Sequence, residues 1–320
     1  QTTLAFLRSP RRMLSMTRPA WHDGPFMRAC RRERTPVTPI WLMRQAGRYM
    51  KDYRDLRKKV SFARLCRSPD LAAEVAVTAA ARLGVDAAIL FSDILLILEP
   101  LGMKLEYVRG EGPKIHNPLR GPADVRRLKE FEPGALDFVT QAVRATRRAL
   151  PERIPLIGFS GAPFTLASYM IQGGSSREFQ QTKAFMYRHP EAWRDLMALL
   201  ARALARYLNA QAGAGAQALQ LFDSWAGALG PSDYRTYALP HTRAVVRGLP
   251  KDVPVIHFGT RTAGLLPLLK ETGAGVIGLD SGVALGEAWT RLPGLGVMGN
   301  LDPCVLLADP RLIRREARRI

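Results

Sequence analysis

From Thr38 onward the chain repeats one pattern without repeating any sequence. A short apolar run meets a polar or glycine-containing stop, and a longer segment with helical spacing of apolar residues follows. The runs are PIWLM (39–43), VDAAILF (85–91), PLIGF (155–159), ALQLF (218–222), VPVIHF (253–258), GVIGL (275–279) and GVMG (296–299). Each is too short for a buried helix and suits a strand covered on both faces. The intervening segments PDLAAEVAVTAAARLG (69–84) and PEAWRDLMALLARALARYLNAQAGAG (190–215) begin at proline and end at glycine, as helix-end chemistry requires. Strands alternating with helices predict parallel β-α-β units with right-handed crossovers.

Seven such units point to an α/β chain folded as a (β/α)8 TIM barrel, a fold of about 250 residues. A doubly wound open sheet is the alternative, but MRQAGR after the first run is not the glycine-rich phosphate turn of that fold. An eighth strand is missing from the pattern, because RLIRREARRI (311–320) reads as the helix after the seventh. The expectation is a barrel truncated at its C-terminus, since an open edge between first and seventh strands would invite unwanted pairing.

Composition narrows the class. Apolar residues make up 47% and charged residues 23%, as in globular proteins. No apolar run approaches the ~18–20 residues that span a bilayer, so no membrane partner is expected. The net charge of +19 raises nucleic acid as a partner, but residues 1–34 and 311–320 together carry +10 of it. The middle is only moderately basic, and no nucleic-acid partner is expected. Cys30, Cys66 and Cys304 form no C-x-x-C and no disulfide framework, which fits a reducing cytoplasm. The five histidines show no metal-ligand spacing, and no metal is expected. Residues 1–24 are rich in Arg, Ser and Thr and resemble a transit peptide in composition. They lack a continuous amphipathic run and are read as an upstream or disordered extension. Residues 25–320 are expected to form a single catalytic barrel.

In such barrels the chemistry sits at the C-terminal ends of the strands. The candidates are therefore Arg44-Gln45, Ser92-Asp93, Ser160-Gly161, Asp223-Ser224, His257, Asp280-Ser281 and Asn300. Each has a structural alternative. Arg44 and Arg48 could form salt bridges with Asp93 or Asp223. Asp93 and Ser224 could cap helices, Tyr169 could be a rim aromatic, and His257 a satisfied buried histidine. Spacing alone reaches an anion-binding barrel enzyme and no further.

Several stretches together resemble the uroporphyrinogen decarboxylase family. They are TPIWLMRQAGRYMKDYR (38–54), ILFSDILLILEPLGM (89–103), GEGPKIHNPLR (110–120), GFSGAPFTLASYMIQGG (158–174), LFDSWAGALGPSDYR (221–235), VPVIHFGT (253–260) and GVMGNLDP (296–303). The resemblance implies a homodimeric (β/α)8 enzyme working without metal or organic cofactor. Its reaction removes CO2 from the four acetate side chains of uroporphyrinogen III, giving coproporphyrinogen III in haem biosynthesis. It implies substrate-carboxylate binding by Arg44, Gln45 and Arg48, with Arg44 also a candidate proton donor. Asp93 would accept hydrogen bonds from the pyrrole N–H groups at the centre of the macrocycle, kept ionised by nearby arginines. Tyr169 and Ser224 would contact substrate. Two departures stand out. The family's closing N-L-G-H-G strand is absent, and Asp280-Ser281-Gly282 stands where many relatives carry L-D-W-R. The rival readings are a same-fold corrinoid or thiol methyltransferase and an inactive porphyrin-binding fragment. The methyltransferase would need an H-x-C zinc pair, but His257 is followed by Phe258 and Gly259.

Overall fold

Strands that are apolar on both parities need cover on both faces, and the helices between them supply it on one. The computed structural model describes residues 18–108, 112–176 and 178–320; most of the 1–24 extension lies outside them. In chain order the strands are β1 (Ala88–Ile89), β2 (Leu105–Val108), β3 (Gly112–Ile115), β4 (Leu156–Gly161), β5 (Ala218–Asp223), β6 (Val255–Gly259), β7 (Val276–Gly278) and β8 (Gly296–Met298). Six of them make one parallel sheet in the order β1-β4-β5-β6-β7-β8, so neighbours in the chain are neighbours in space. β2 and β3 form a separate antiparallel pair, which the alternation of strands and helices along the sequence does not predict.

The predicted helices form where proline and glycine place them. The helix Pro69–Leu83 starts at its proline and stops at Gly84, whose φ of 62° favours glycine. The helix Pro190–Gly213 buries Trp193, Leu196, Met197, Leu200, Leu204 and Leu208, spaced by three and four, against β4 and its neighbours.

The first predicted strand, 39–43, is the exception. It runs beside β1, but Ile40 O accepts from Asp86 N–H, and the Ile40 N–H goes to the Asp86 side chain. Pro39 has no N–H to offer a ladder. Further along, Gln45 replaces the missing strand pairing: its Nε2 donates to Ala87 O at 2.7 Å and its Oε1 accepts from Ile89 N–H at 3.2 Å. Gln211 serves β4 in the same way, bonding both the N–H and C=O of Phe159, at 2.8 and 2.9 Å. Gly158 makes room for it, since a Cβ there would lie 2.6 Å from Gln211 Oε1.

The sheet is curled. Trp41, beside the β1 edge, points its indole N–H at Met298 Sδ on β8, the opposite edge, at 3.1 Å. Arg32 reaches the same side of the molecule by donating to Gly294 O. Two edges of a flat six-stranded sheet could not be bridged by one side chain. The result is a partly closed parallel barrel of six strands, with the 39–43 segment alongside it.

Candidate active site

The turns after β4 to β8 are bonded to one another around the C-terminal end of the sheet. Thr165, on the helix Pro163–Gln172 after β4, donates to Asp223 at the end of β5. Thr260 after β6 donates to Ser224 O. Asp280 after β7 accepts from Arg261 N–H at 2.6 Å, and Asn300 after β8 donates to Asp280 O at 2.7 Å. Gly227 lets the β5 and β6 turns touch, because a Cβ would sit 2.4 Å from Thr260 O and 2.6 Å from Arg261 O. Gly227→Ala is therefore expected to destabilise the chain by about 1–3 kcal/mol through forced overpacking, read as a lower urea midpoint at unchanged slope.

This rim decides which predicted residues are free to act. Asp280 is consumed by backbone donors, its Oδ1 taking Gly282 N–H, and Asn300 by the carbonyls of Asp280 and Val283. Ser160 is fully buried and donates to the adjacent Gly161 O. Asp223 and His257 are also fully buried, 3.4 Å apart, on the side of the sheet that faces the helices. His257 pairs with Leu221 and Ile277, both core residues, whereas its neighbour Phe258 pairs with Phe222 on the other face. The expectation that Asp223 and His257 reach the mouth is not met. His257 is not a fully satisfied histidine either, since its Nδ1 has no partner among the described residues.

Asp93 lies four residues past β1 and is part-buried. Its Oδ1 accepts the Leu95 N–H at 2.8 Å, a local turn contact, and the short turn Leu96–Leu98 that follows has Leu95 at its N-cap, so Asp93 caps no helix. Burial raises its pKa above the ordinary carboxylate value, and the Leu95 N–H and the Tyr107 phenol of β2 only partly offset this. Among the described residues no arginine forms a salt bridge with Asp93, so the expected ion pair that would hold it ionised is not made. Tyr169 is the one residue of Pro163–Ile171 that is not buried. Burial and then the charge of Asp93 push its phenol up to about 12, which places it in the field of that carboxylate. Cys66, buried near Asp93, is raised by burial first and Asp93 second, and is an inert thiol.

Arg44 and Arg48 are exposed, and neither forms an ion pair among the described residues, which removes the salt-bridge alternative. Their loop is shaped by other groups. The Tyr49 hydroxyl donates to Gln45 O, and Arg54 donates to the carbonyls of Arg48 and Tyr49 at 2.8 and 2.9 Å. With its carbonyls satisfied from below, the loop leaves both guanidinium groups uncommitted. Gln45, predicted to bind substrate, is 2% exposed with its amide fully engaged, so it positions the loop that carries Arg44. Ser224 caps no helix, and its hydroxyl has no partner among the described residues. The sequence did not single out Trp225, which stacks on Tyr169, although it adjoins Ser224.

A curled parallel sheet with uncommitted arginines, a part-buried carboxylate and free hydroxyls at its strand ends defines a barrel-type enzyme for an anionic substrate. The family described as uroporphyrinogen decarboxylase matches residues 22–320. The uroporphyrinogen decarboxylase of Sorangium cellulosum is 51% identical over 302 residues, covering 93% of this chain and 86% of that one. Those of Carboxydothermus hydrogenoformans and Thermus thermophilus are 49% and 50% identical, each with 86% of the relative covered. Among solved structures, a methyltransferase from Methanosarcina mazei superposes with a TM-score of 0.77 at 15% identity, covering 94% of this chain and 89% of that one. That likeness speaks for the fold alone. The chain belongs to the uroporphyrinogen decarboxylase family.

Proposed function

We propose that this chain decarboxylates the acetate side chains of uroporphyrinogen III, giving coproporphyrinogen III. The observation that carries the mechanism is Asp93: a carboxylate pressed into protein with no salt-bridge partner among the described residues, just past the end of β1. Pyrrole N–H groups of a bound macrocycle supply what the protein withholds, since hydrogen bonds to the charged form favour it. Protonation of a pyrrole ring carbon makes the ring cationic. The bond to the carboxylate carbon then breaks, CO2 leaves, and the electron pair passes into the ring, forming an exocyclic methylene. A proton taken up at that methylene and the ring-carbon proton released restore the pyrrole, now bearing a methyl group. The net change consumes one proton per CO2. Asp93 stabilises the cationic stage, in a site where a fixed charge acts far more strongly than in water.

Arg44 and Arg48 receive the carboxylate fringe, and Arg44 or a water delivers the proton. Tyr169 and Ser224 donate to the same fringe. Arg48→Ala is expected to raise KM about tenfold with little change in kcat, and Arg44→Ala to lower kcat as well. Steady-state kinetics at two salt concentrations check this, and equal, small effects from both would remove their substrate role. The direct test of the function is anaerobic incubation with uroporphyrinogen III, followed by oxidation and separation of fluorescent products. Hepta- to tetracarboxylate porphyrins are expected, and their absence would overturn the reading.

The reading extends to architecture. Residues 25–320 act as one catalytic domain, a (β/α)8-type barrel in which the 39–43 segment runs beside the six parallel strands. The enzyme works without a cofactor, as a cytoplasmic homodimer. Support for further contacts comes from Val37, Ile40 and Leu42, which are 56%, 62% and 42% exposed on one segment. Sedimentation equilibrium tests the dimer. No helix among the described residues is long and apolar enough to cross a membrane. No cluster of three or more His, Cys, Asp or Glu among them is suited to a metal ion, and the H-x-C pair of the methyltransferase reading is missing from the sequence.

A further inference from the structure

Trp225 has no part in the mechanism above, yet the fold invests heavily in its position. Its ring stacks on Tyr169 with centroids 3.9 Å apart and planes 29° from parallel. Phe179 meets it from the loop before the next helix at 4.8 Å. Phe179 holds a φ of 55°, a conformation that costs a non-glycine residue about 1–2 kcal/mol and persists only where packing enforces it. The Trp225 backbone is fixed from the core outward: Asp223, fully buried, accepts from Thr165 Oγ1 at 3.0 Å, and the same Oγ1 accepts the Trp225 N–H at 3.2 Å.

For all this, Trp225 stays part-exposed, and its indole N–H meets no acceptor among the described residues. A part-exposed indole N–H with no acceptor in the protein is free to bond a ligand, its ring supplying apolar contact and its edge a donor. The Tyr169 hydroxyl and the Ser224 hydroxyl are likewise without partners among the described residues, and Tyr169 senses the charge of Asp93. The stacked pair Tyr169–Trp225 thus carries two uncommitted donors, with Tyr169 in the field of Asp93 and Ser224 next to Trp225 in the chain.

Resting on the decarboxylation reading, we propose that Trp225 is a further substrate-contacting residue: its ring lines the wall for the macrocycle rim, and its Nε1–H donates to a substrate carboxylate. Thr165 and Asp223 act through it as positioning residues.

Trp225→Phe keeps an aromatic ring for Tyr169 to stack on while removing the N–H together with part of the indole's area. It is expected to raise KM for uroporphyrinogen III about tenfold, leaving kcat within about twofold and the melting temperature unchanged. The oxidised analogue uroporphyrin should lose affinity by a similar factor, and its quenching of tryptophan fluorescence should shrink. Thr165→Val should raise KM in the same direction, with Thr165→Ser restoring it. An unchanged KM and uroporphyrin affinity in Trp225→Phe, in a wild type that turns over, would overturn this inference alone. Weakened uroporphyrin binding in Trp225→Phe, with a wild type that releases no CO2, would keep the inference and sink the decarboxylase reading. A change in KM that merely tracks lost stability would also overturn it.

Discussion

Asp93→Asn is expected to lower kcat by about 100- to 1,000-fold while KM moves far less, the signature of charge stabilisation withheld from the transition state. The side chain keeps its shape and can still accept the Leu95 N–H, so the turn should survive. The same substitution should make the folded chain more stable at neutral pH. Burial raises the Asp93 pKa above its unfolded value, so within that window the folded state binds more protons than the unfolded state. Wild-type stability therefore falls as pH climbs through the window, and is unaffected below the ordinary carboxylate range. Asparagine has no proton to lose, so this fall should be missing from its stability curve. The acid limb of wild-type turnover should likewise lie above the usual carboxylate pKa. Parallel denaturation curves and pH–rate profiles measure both effects. A variant that loses activity and stability together would return Asp93 to a structural role.

The second large effect is expected at Gln45. Gln45→Leu keeps the volume and removes both bonds to β1, leaving the Ala87 carbonyl and the Ile89 N–H without partners at positions 0% and 9% exposed. Two unsatisfied buried groups cost about 2–5 kcal/mol together. Stability and substrate binding should fall in one step, because the released segment carries Arg44. A glutamine that only touched substrate would raise KM and leave the urea midpoint where it was. The two outcomes are separated by measuring unfolding and KM on the same preparation.

The sequence made the strand pattern readable because a strand buried on both faces leaves a compact apolar run. That same property hid which way each side chain points. His257 lies in VPVIHF, where both parities are apolar, so nothing in the run distinguishes Phe258, which pairs with Phe222, from His257, which faces the helices. PIWLM has the composition of a strand, but its pairing is made by Gln45 and Asp86 side chains, a substitution that no periodicity reveals. The hairpin β2–β3 went unseen because its alternation is short and lies between two barrel units. Asp93 was legible as a polar residue set within an apolar stretch. That no arginine among the described residues forms an ion pair with it was not, because pairing depends on distances in space. Trp225 was hidden in plain view: a tryptophan beside a catalytic-looking serine reads as packing until its stacked partner is known.

The turn-to-turn bonds around the mouth bear on how this family can diversify. Asn300 holds Asp280, Asp280 holds the Arg261 backbone, and Gly227 lies against Thr260 and Arg261. A loop transplanted singly from a relative would arrive with its neighbour's acceptor missing. New specificities on this scaffold should therefore be inherited in blocks of adjacent loops, and recombination between family members should succeed when its crossovers fall within the helices and fail when they divide the rim.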